Sequence, residues 1–425
     1  MKTRSRLLIF LILFVIGLPF VYNLPPIQER FGWRVAELAA RFKYALSPPE
    51  KIVFVPQGND IWATPLVSPQ SGLPTLPSIA STATPSNAPS ASPSPIAILM
   101  PIPKSVQLEG VQHEYQTWNN CGPTTLAMAL SYWGWKGDQR PIAAFTKPNS
   151  RDKNVMPYEL ADYVEKGTEF EIVYRVGGDI ELLKRFLAAG FPIMIEKGFE
   201  GRDFDGWMGH YVLVTGYNDA NQQFTLQDSY YGPNQIMDYK DLESYWRAFN
   251  FTYLAVYPAE REKEVETILE PQLDEAYNYR YAAQKASDEI YTLTGRDKFF
   301  AWFNRGTNLV QLQDYAGAAL AYDEAFAIYP DILEEDRPWR MMWYQTGPYW
   351  AYYYTGRYQD VIGLSTKTMD AMSEPVLEES YYWRALAREA LGDTKGAVKD
   401  LQSSLKVHPG FEPATTQLQR LGVSQ

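Results

Sequence analysis

The chain has 425 residues, of which 46% are apolar and 15% aromatic, and a formal net charge of −11. That length exceeds one ordinary hydrophobic core and argues for two or three domains. The acidic balance, with no basic block beyond the N-terminus, argues against nucleic acid as a partner. One cysteine and three histidines (His113, His210 and His408) make a protein-bound structural zinc site an unlikely use of these residues, and no cofactor is expected.

Residues 1–6, MKTRSR, form a basic leader ahead of the uncharged apolar run Leu7–Tyr22. Such a pair is a secretory signal or a membrane anchor. Between Leu18 and Phe31 there is no Ala, Gly or Ser for a signal peptidase, and no cysteine follows to take a lipid. The expectation is therefore an uncleaved single-pass anchor over 7–22, with a cytoplasmic N-terminus and the remainder extracytoplasmic. A cleaved signal and a secreted protein are the alternative. The juxtamembrane segment 23–59 spaces Phe31, Val35, Leu38 and Phe42 as on a helix, with arginines interleaved. This pattern suits a membrane surface or an ordinary short amphipathic helix equally. Residues 60–104 turn to Pro, Ser, Thr and Ala, a composition that cannot bury enough apolar surface to order itself. It reads as a tether holding a head off the membrane.

Globular patterning returns over 105–258. A helix is predicted from near Pro123, and MPYELADYVEKG and DIELLKRFLAAG read as two more, each closed by glycine. FPIMIEKG, HYVLVTGYND, QQFTLQDS and FTYLAVYP read as strands separated by Asn and Asp turns. Helices followed by antiparallel strands make an α+β domain. The remainder, 259–425, is all-α and repeats. Trp302, Gly306, Leu309, Ala318, Tyr322, Ala325 and Pro330 fall at positions that resemble the tetratricopeptide pattern. Ala397, Leu401 and Pro409 repeat it, and a degenerate copy lies between, delayed by the insert PDILEEDRPWR. A plain helical bundle is the alternative. The aromatic residues Trp302, Trp343, Tyr344, Trp350 and Tyr352 to Tyr354 are candidates for a concave binding face.

The single thiol carries the chemistry. Cys121 stands just before Gly122 and Pro123 at a predicted helix start, where partial positive charge favours a thiolate. A buried core cysteine is the plain alternative. Of the histidines, His408 lies in the last repeat and His113 in an extended lead-in, whereas His210 opens a strand. If HYVLVTGY and FTLQDS pair as a hairpin, His210 and Asp228 meet at its open end, as base and orienter for the nucleophile. Gln116 can supply a side-chain amide to an oxyanion, with Asn119 and Asn120 as competitors better read as turn or cap residues.

Taken together, YQTWNNCGPTTLAMAL, GHYVLVTGYND and FTLQDS resemble the papain-like cysteine peptidases that process bacteriocins, the double-glycine proteases, in their stand-alone branch. The resemblance spans about Val106 to Pro258 and implies a papain-like α+β fold. It further implies Cys121 as nucleophile, His210 as base, Asp228 as its orienter and Gln116 as oxyanion donor. No P-loop follows, and Ser229 stands where the family often has proline, so cleavage after double glycine does not transfer. The expected protein is a membrane-tethered, extracytoplasmic cysteine peptidase acting on a peptide or protein, with the repeats recruiting a protein partner. An interaction scaffold built on the repeats, or acyl transfer to another amine, are the alternatives.

Overall fold

A computed structural model describes residues 25–58, 102–149, 151–200 and 206–423. The apolar run 7–22 and the Pro/Ser/Thr-rich stretch up to residue 101 lie outside the described residues. No helix of the described residues is long and apolar enough to cross a membrane.

An amphipathic helix, α1 (Pro25–Leu46), opens the described chain, as the spacing of its apolar residues predicts. The next domain runs β1 (Ser105–Gln107), α2 (Cys121–Tyr132), α3 (Gln139–Thr146), α4 (Pro157–Gly167), β2 (Phe170–Arg175), α5 (Ile180–Ala188) and β3 (Ile193–Glu200). It continues with β4 (Trp207–Asn218), β5 (Gln223–Asp228), β6 (Gly232–Asp238), α6 (Tyr239–Arg247) and β7 (Tyr253–Pro258). The strands form one antiparallel sheet in the order β2-β7-β3-β4-β5-β6, with β1 added to β4.

Alternation along β4 assigns the two faces. Tyr211 and Leu213 pack with Leu126 and Leu130 of α2 and Leu160 and Val164 of α4. Val212 and Val214 pack with Leu183 and Phe186 of α5 and Leu242 and Trp246 of α6. Burial on both faces makes these strands read as nearly continuous apolar runs, which is why they were legible as strands. Helix starts follow side-chain caps: Asp138 accepts from the Arg140 N–H, and Asp179 from the Leu182 N–H.

The helical region comprises α7 (Glu262–Leu269), α8 (Glu275–Thr292), α9 (Gly295–Gln311), α10 (Tyr315–Ile328), α11 (Gly347–Tyr354), α12 (Tyr358–Ala371), α13 (Glu378–Ala390), α14 (Thr394–Val407) and α15 (Glu412–Arg420). Its repeat positions are core positions. Ala318, Tyr322 and Ala325 are fully buried, and a Cβ at Gly306 would lie 2.7 Å from the Tyr322 ring. The aromatic candidates for a binding face are used mainly for packing instead. Trp343, Tyr344 and Tyr352 are buried, and Trp302, Trp350, Tyr353 and Tyr354 pack partly buried against the same core.

That core does not stop at the repeats. Trp207, Ala248 and Phe249 of the sheet domain belong to one cluster with Phe299, Phe300 and Tyr344. Across the seam, Asn250 and Asn308 exchange amide hydrogen bonds of 2.8 and 3.0 Å, and Asn304 Nδ2 donates to Arg247 O at 2.7 Å.

The segment that follows α1, ahead of the Pro-rich stretch, lies on the repeats. The Lys43 ammonium donates to Asp370 O at 2.6 Å, Lys367 Nζ to Val53 O at 2.6 Å, and the Gln57 N–H to Asp360 Oδ1 at 2.8 Å. Phe54 is buried edge-on to Phe326, with ring centroids 5.0 Å apart. At the other end of the Pro-rich stretch, Tyr217 Oη donates to Pro103 O at 2.5 Å. The described residues on either side of the Pro-rich stretch are thus fastened to the folded body.

Candidate active site

Helix α2 begins at Cys121 itself, two residues ahead of the proline that the sequence marks as its start. Asn119 turns the chain into it with φ +56°. The lead-in is locked by buried polar groups. Lys147 Nζ donates to Asn119 O at 2.9 Å and Asn120 Oδ1 at 3.0 Å, and Asn120 Nδ2 donates to Thr117 Oγ1 at 2.8 Å. Asn120 occupies the cap position without making a side-chain cap bond, because its side chain serves Lys147 and Gln139 instead. Both side-chain amides are engaged around this turn, since Asn119 Nδ2 donates to Asp152 O at 3.3 Å.

Strand β4 carries His210, 3% exposed, and β5 ends on Asp228. Their ladder pairs Leu213 with Gln227, so His210 stands just past the last paired residues, at the open end of the hairpin. His210 Nε2 donates to Asp228 Oδ1 at 3.0 Å. Cys121 is the other group that bears on the ring: hydrogen bonding and charge between the two shift the ionisation of both. The carboxylate is itself fixed, accepting from the Tyr230 N–H at 2.7 Å and the Tyr231 N–H at 3.0 Å. Phe199 stacks on the imidazole at a centroid distance of 4.5 Å.

Charge follows from these contacts. Burial pushes the Cys121 thiol up, but the His210 hydrogen bond and charge, the Tyr211 backbone N–H and the Lys147 charge outweigh it and hold the thiol below its usual range. Burial disfavours the His210 imidazolium, and the Asp228 charge and hydrogen bond, aided by Cys121, reverse this and raise it to about 9. Desolvation opposes ionisation of Asp228 too, yet His210 and the two backbone donors hold it well below the usual carboxylate range. Near neutral pH the arrangement favours a thiolate–imidazolium pair, ready to attack a carbonyl and then protonate a leaving amine.

Gln116 is half-buried and held by Ser229, the residue that follows Asp228. Its N–H donates to Ser229 O at 2.9 Å, and its Oε1 accepts from Ser229 Oγ at 2.8 Å. The amide nitrogen has no protein partner among the described residues. Ser229, where the resemblance led one to expect proline, is thus what orients the amide.

The other two histidines stand elsewhere. His113 Nε2 donates to the Asp228 backbone carbonyl at 3.0 Å, a supporting contact that its place in the sequence did not disclose. His408 lies in the repeats, with Nδ1 2.8 Å from Glu378 Oε1. Among the described residues, no group of three or more His, Cys, Asp or Glu side chains is arranged to hold a metal ion.

Residues 102–254 match the family model described as the Peptidase_C39 like family, and residues 299–332 match the tetratricopeptide repeat. No curated protein matches the chain. Among solved structures, a C39-like peptidase from Bacillus anthracis is 19% identical with a TM-score of 0.31, covering 36% of this chain and 98% of its own. The peptidase domain of Streptococcus ComA, a bi-functional ABC transporter of a quorum-sensing pathway, is 17% identical with a TM-score of 0.29, covering 35% and 98%. Xylellain, a cysteine protease from Xylella fastidiosa, is 16% identical with a TM-score of 0.31, covering 41% and 95%. The chain carries a C39-like peptidase domain followed by tetratricopeptide repeats.

Proposed function

We propose that the protein is a thiol peptidase in which Cys121 attacks the scissile carbonyl, His210 relays the proton, Asp228 orients His210, and Gln116 receives the oxyanion. The observation that carries this reading is the buried His210 imidazole, held 3.0 Å from the Asp228 carboxylate and electrostatically coupled to the Cys121 thiol. A cysteine kept only for packing needs neither partner. The backbone N–H of Cys121, at the first position of α2, is the natural second donor to the oxyanion. Hydrolysis then proceeds through an acyl-enzyme: sulfur bonds to the carbonyl carbon, the amine leaves with a proton from His210, and water releases the acid.

The reading extends to the membrane. An anchor over 7–22 would run directly into α1, whose C-terminal end is fastened to the repeats through Lys43. The repeats would then sit nearest the membrane and carry the peptidase domain. Exposing the full chain to an electrophilic thiol probe, followed by sequencing of cleaved envelope proteins, tests the catalytic reading. Labelling of wild type but not Cys121→Ala, with new cleaved termini only in wild type, supports it. Labelling without any cleaved product would sink hydrolysis.

A further inference from the structure

The repeats' hold on the sheet domain reaches the thiol. The insert between the first and second helix pairs, which the sequence shows only as a delay in the repeat, folds back onto the start of β4. Arg340 Nη1 donates to Trp207 O at 2.8 Å, and Gln345 Nε2 to Ala248 O at 2.7 Å. Between these two clamps stands Tyr344. Its ring packs edge-on against Phe249 and Trp207, with centroids at 5.5 and 6.0 Å.

The face of β4 that Tyr344 meets is the one that matters. Gly209 and Tyr211 are two residues apart and share a face. A Cβ at Gly209 would lie 2.9 Å from the Tyr344 ring, and a Cβ at Gly122 would lie 3.3 Å from the Tyr211 ring. Tyr344 and the Cys121–Gly122 turn thus occupy neighbouring places on one strand face. Gly209 precedes His210 directly, and a Cβ there would also lie 2.5 Å from the Phe249 ring, so only glycine leaves room for the two aromatic rings.

We propose that Tyr344, supplied by the repeat region, is a substrate-contacting residue whose phenolic O–H donates a hydrogen bond to a backbone carbonyl of the peptide bound at Cys121. This rests on the peptidase reading above. Among the described residues the hydroxyl takes part in no side-chain hydrogen bond of ordinary geometry, and the Gly209 backbone and the Cys121 charge both act on its ionisation. Burial, first among its influences, keeps that proton bound well above the usual tyrosine range. Two other ionisable groups share this face. Glu196 pairs across the strands with Tyr211, and burial pushes its carboxyl well above the usual range. Tyr211 is raised in the same way and donates from its own hydroxyl to Val155 O at 3.1 Å. Neither supplies a settled negative charge that would capture the Tyr344 proton.

Tyr344→Phe keeps the packed ring and removes only the donor. The full chain is labelled in parallel with iodoacetamide, which needs the thiolate alone, and with a set of peptidyl acyloxymethyl ketones, which must also seat a peptide. The variant should keep the wild-type iodoacetamide rate and lose about tenfold with the peptidyl probes, the order expected for one hydrogen bond. Equal peptidyl rates in variant and wild type would overturn the proposal. So would equal losses with both reagents, since Tyr344 would then act through Cys121. If wild type takes iodoacetamide but no peptidyl probe, it is the peptidase reading that falls, and the proposal with it.

Discussion

At the scale of single residues, the thiol and imidazole titrate against each other, and this sets the pH dependence. Cys121 is held below its usual range, so alkylation should already be fast well under pH 8.5, about where a free cysteine ionises. A single step near that value would show the pair is not formed. The alkaline limb comes from His210. The imidazolium that must protonate the leaving amine is lost as pH rises through about 9, so turnover should fall there. The sign is the same for stability: a folded pKa above the unfolded value of about 6.5 stabilises fully below 6.5 and loses that contribution through about 9.

Cys121→Ala and His210→Ala should abolish turnover. Asp228→Asn should leave a residue, because it disturbs the tautomer without removing nucleophile or base. Gln116→Ala should cost roughly 10² to 10³ in rate if its free amide meets the oxyanion. Position alone made His113 a spectator, but its bond to the Asp228 carbonyl predicts otherwise. His113→Ala should lower stability by about 1 kcal/mol, measured by urea unfolding, while turnover persists. A dead His113→Ala beside an active His210→Ala would reverse the assignment of the base.

At the scale of elements, strong periodicity made some segments readable and its absence hid others. α4, α5, β3, β4 and β7 are buried against neighbours, so their apolar residues recur with the period of the element. β6 (GPNQIMD) lies at a sheet edge with Asn234 and even Ile236 exposed, and carries no such signal. α3 and α6 are short, and their apolar residues are too few to establish a helical period. The strap after α1 was hidden for another reason. Phe54 sits in the four-residue apolar run Ile52–Val55 between prolines, too short to read as an element, and it packs on Phe326 of α10, Tyr352 of α11 and Lys367 of α12, far along the chain. Phe54→Ala should destabilise the protein by about 3 kcal/mol, the lower end for a buried phenylalanine, and open residues 43–57 to proteolysis. A strap as resistant as in wild type would mean that the lysine contacts hold it alone.

At the scale of the whole molecule, the seam between peptidase and repeats changes what a truncation means. Separate modules on a tether would allow 270–425 to be deleted with little harm to cleavage of a short peptide. Here deletion would bare Trp207, Ala248 and Phe249 and leave Asn250 without its buried partner. The expected result is loss of soluble, peptide-cleaving protein, so recruitment by the repeats must be tested with surface substitutions. A soluble truncated chain with wild-type peptide turnover would refute the shared core. The sequence by itself determined the order of the domains, the helix behind Cys121, and the hairpin that brings His210 to Asp228, because each rests on local periodicity or on two adjacent strands. Only the tertiary structure decided where the insert lands, what the N-terminal strap binds, and how Ser229 holds the Gln116 amide. Those depend on contacts between residues from 113 to 314 positions apart, and a pattern read along the chain carries no record of them.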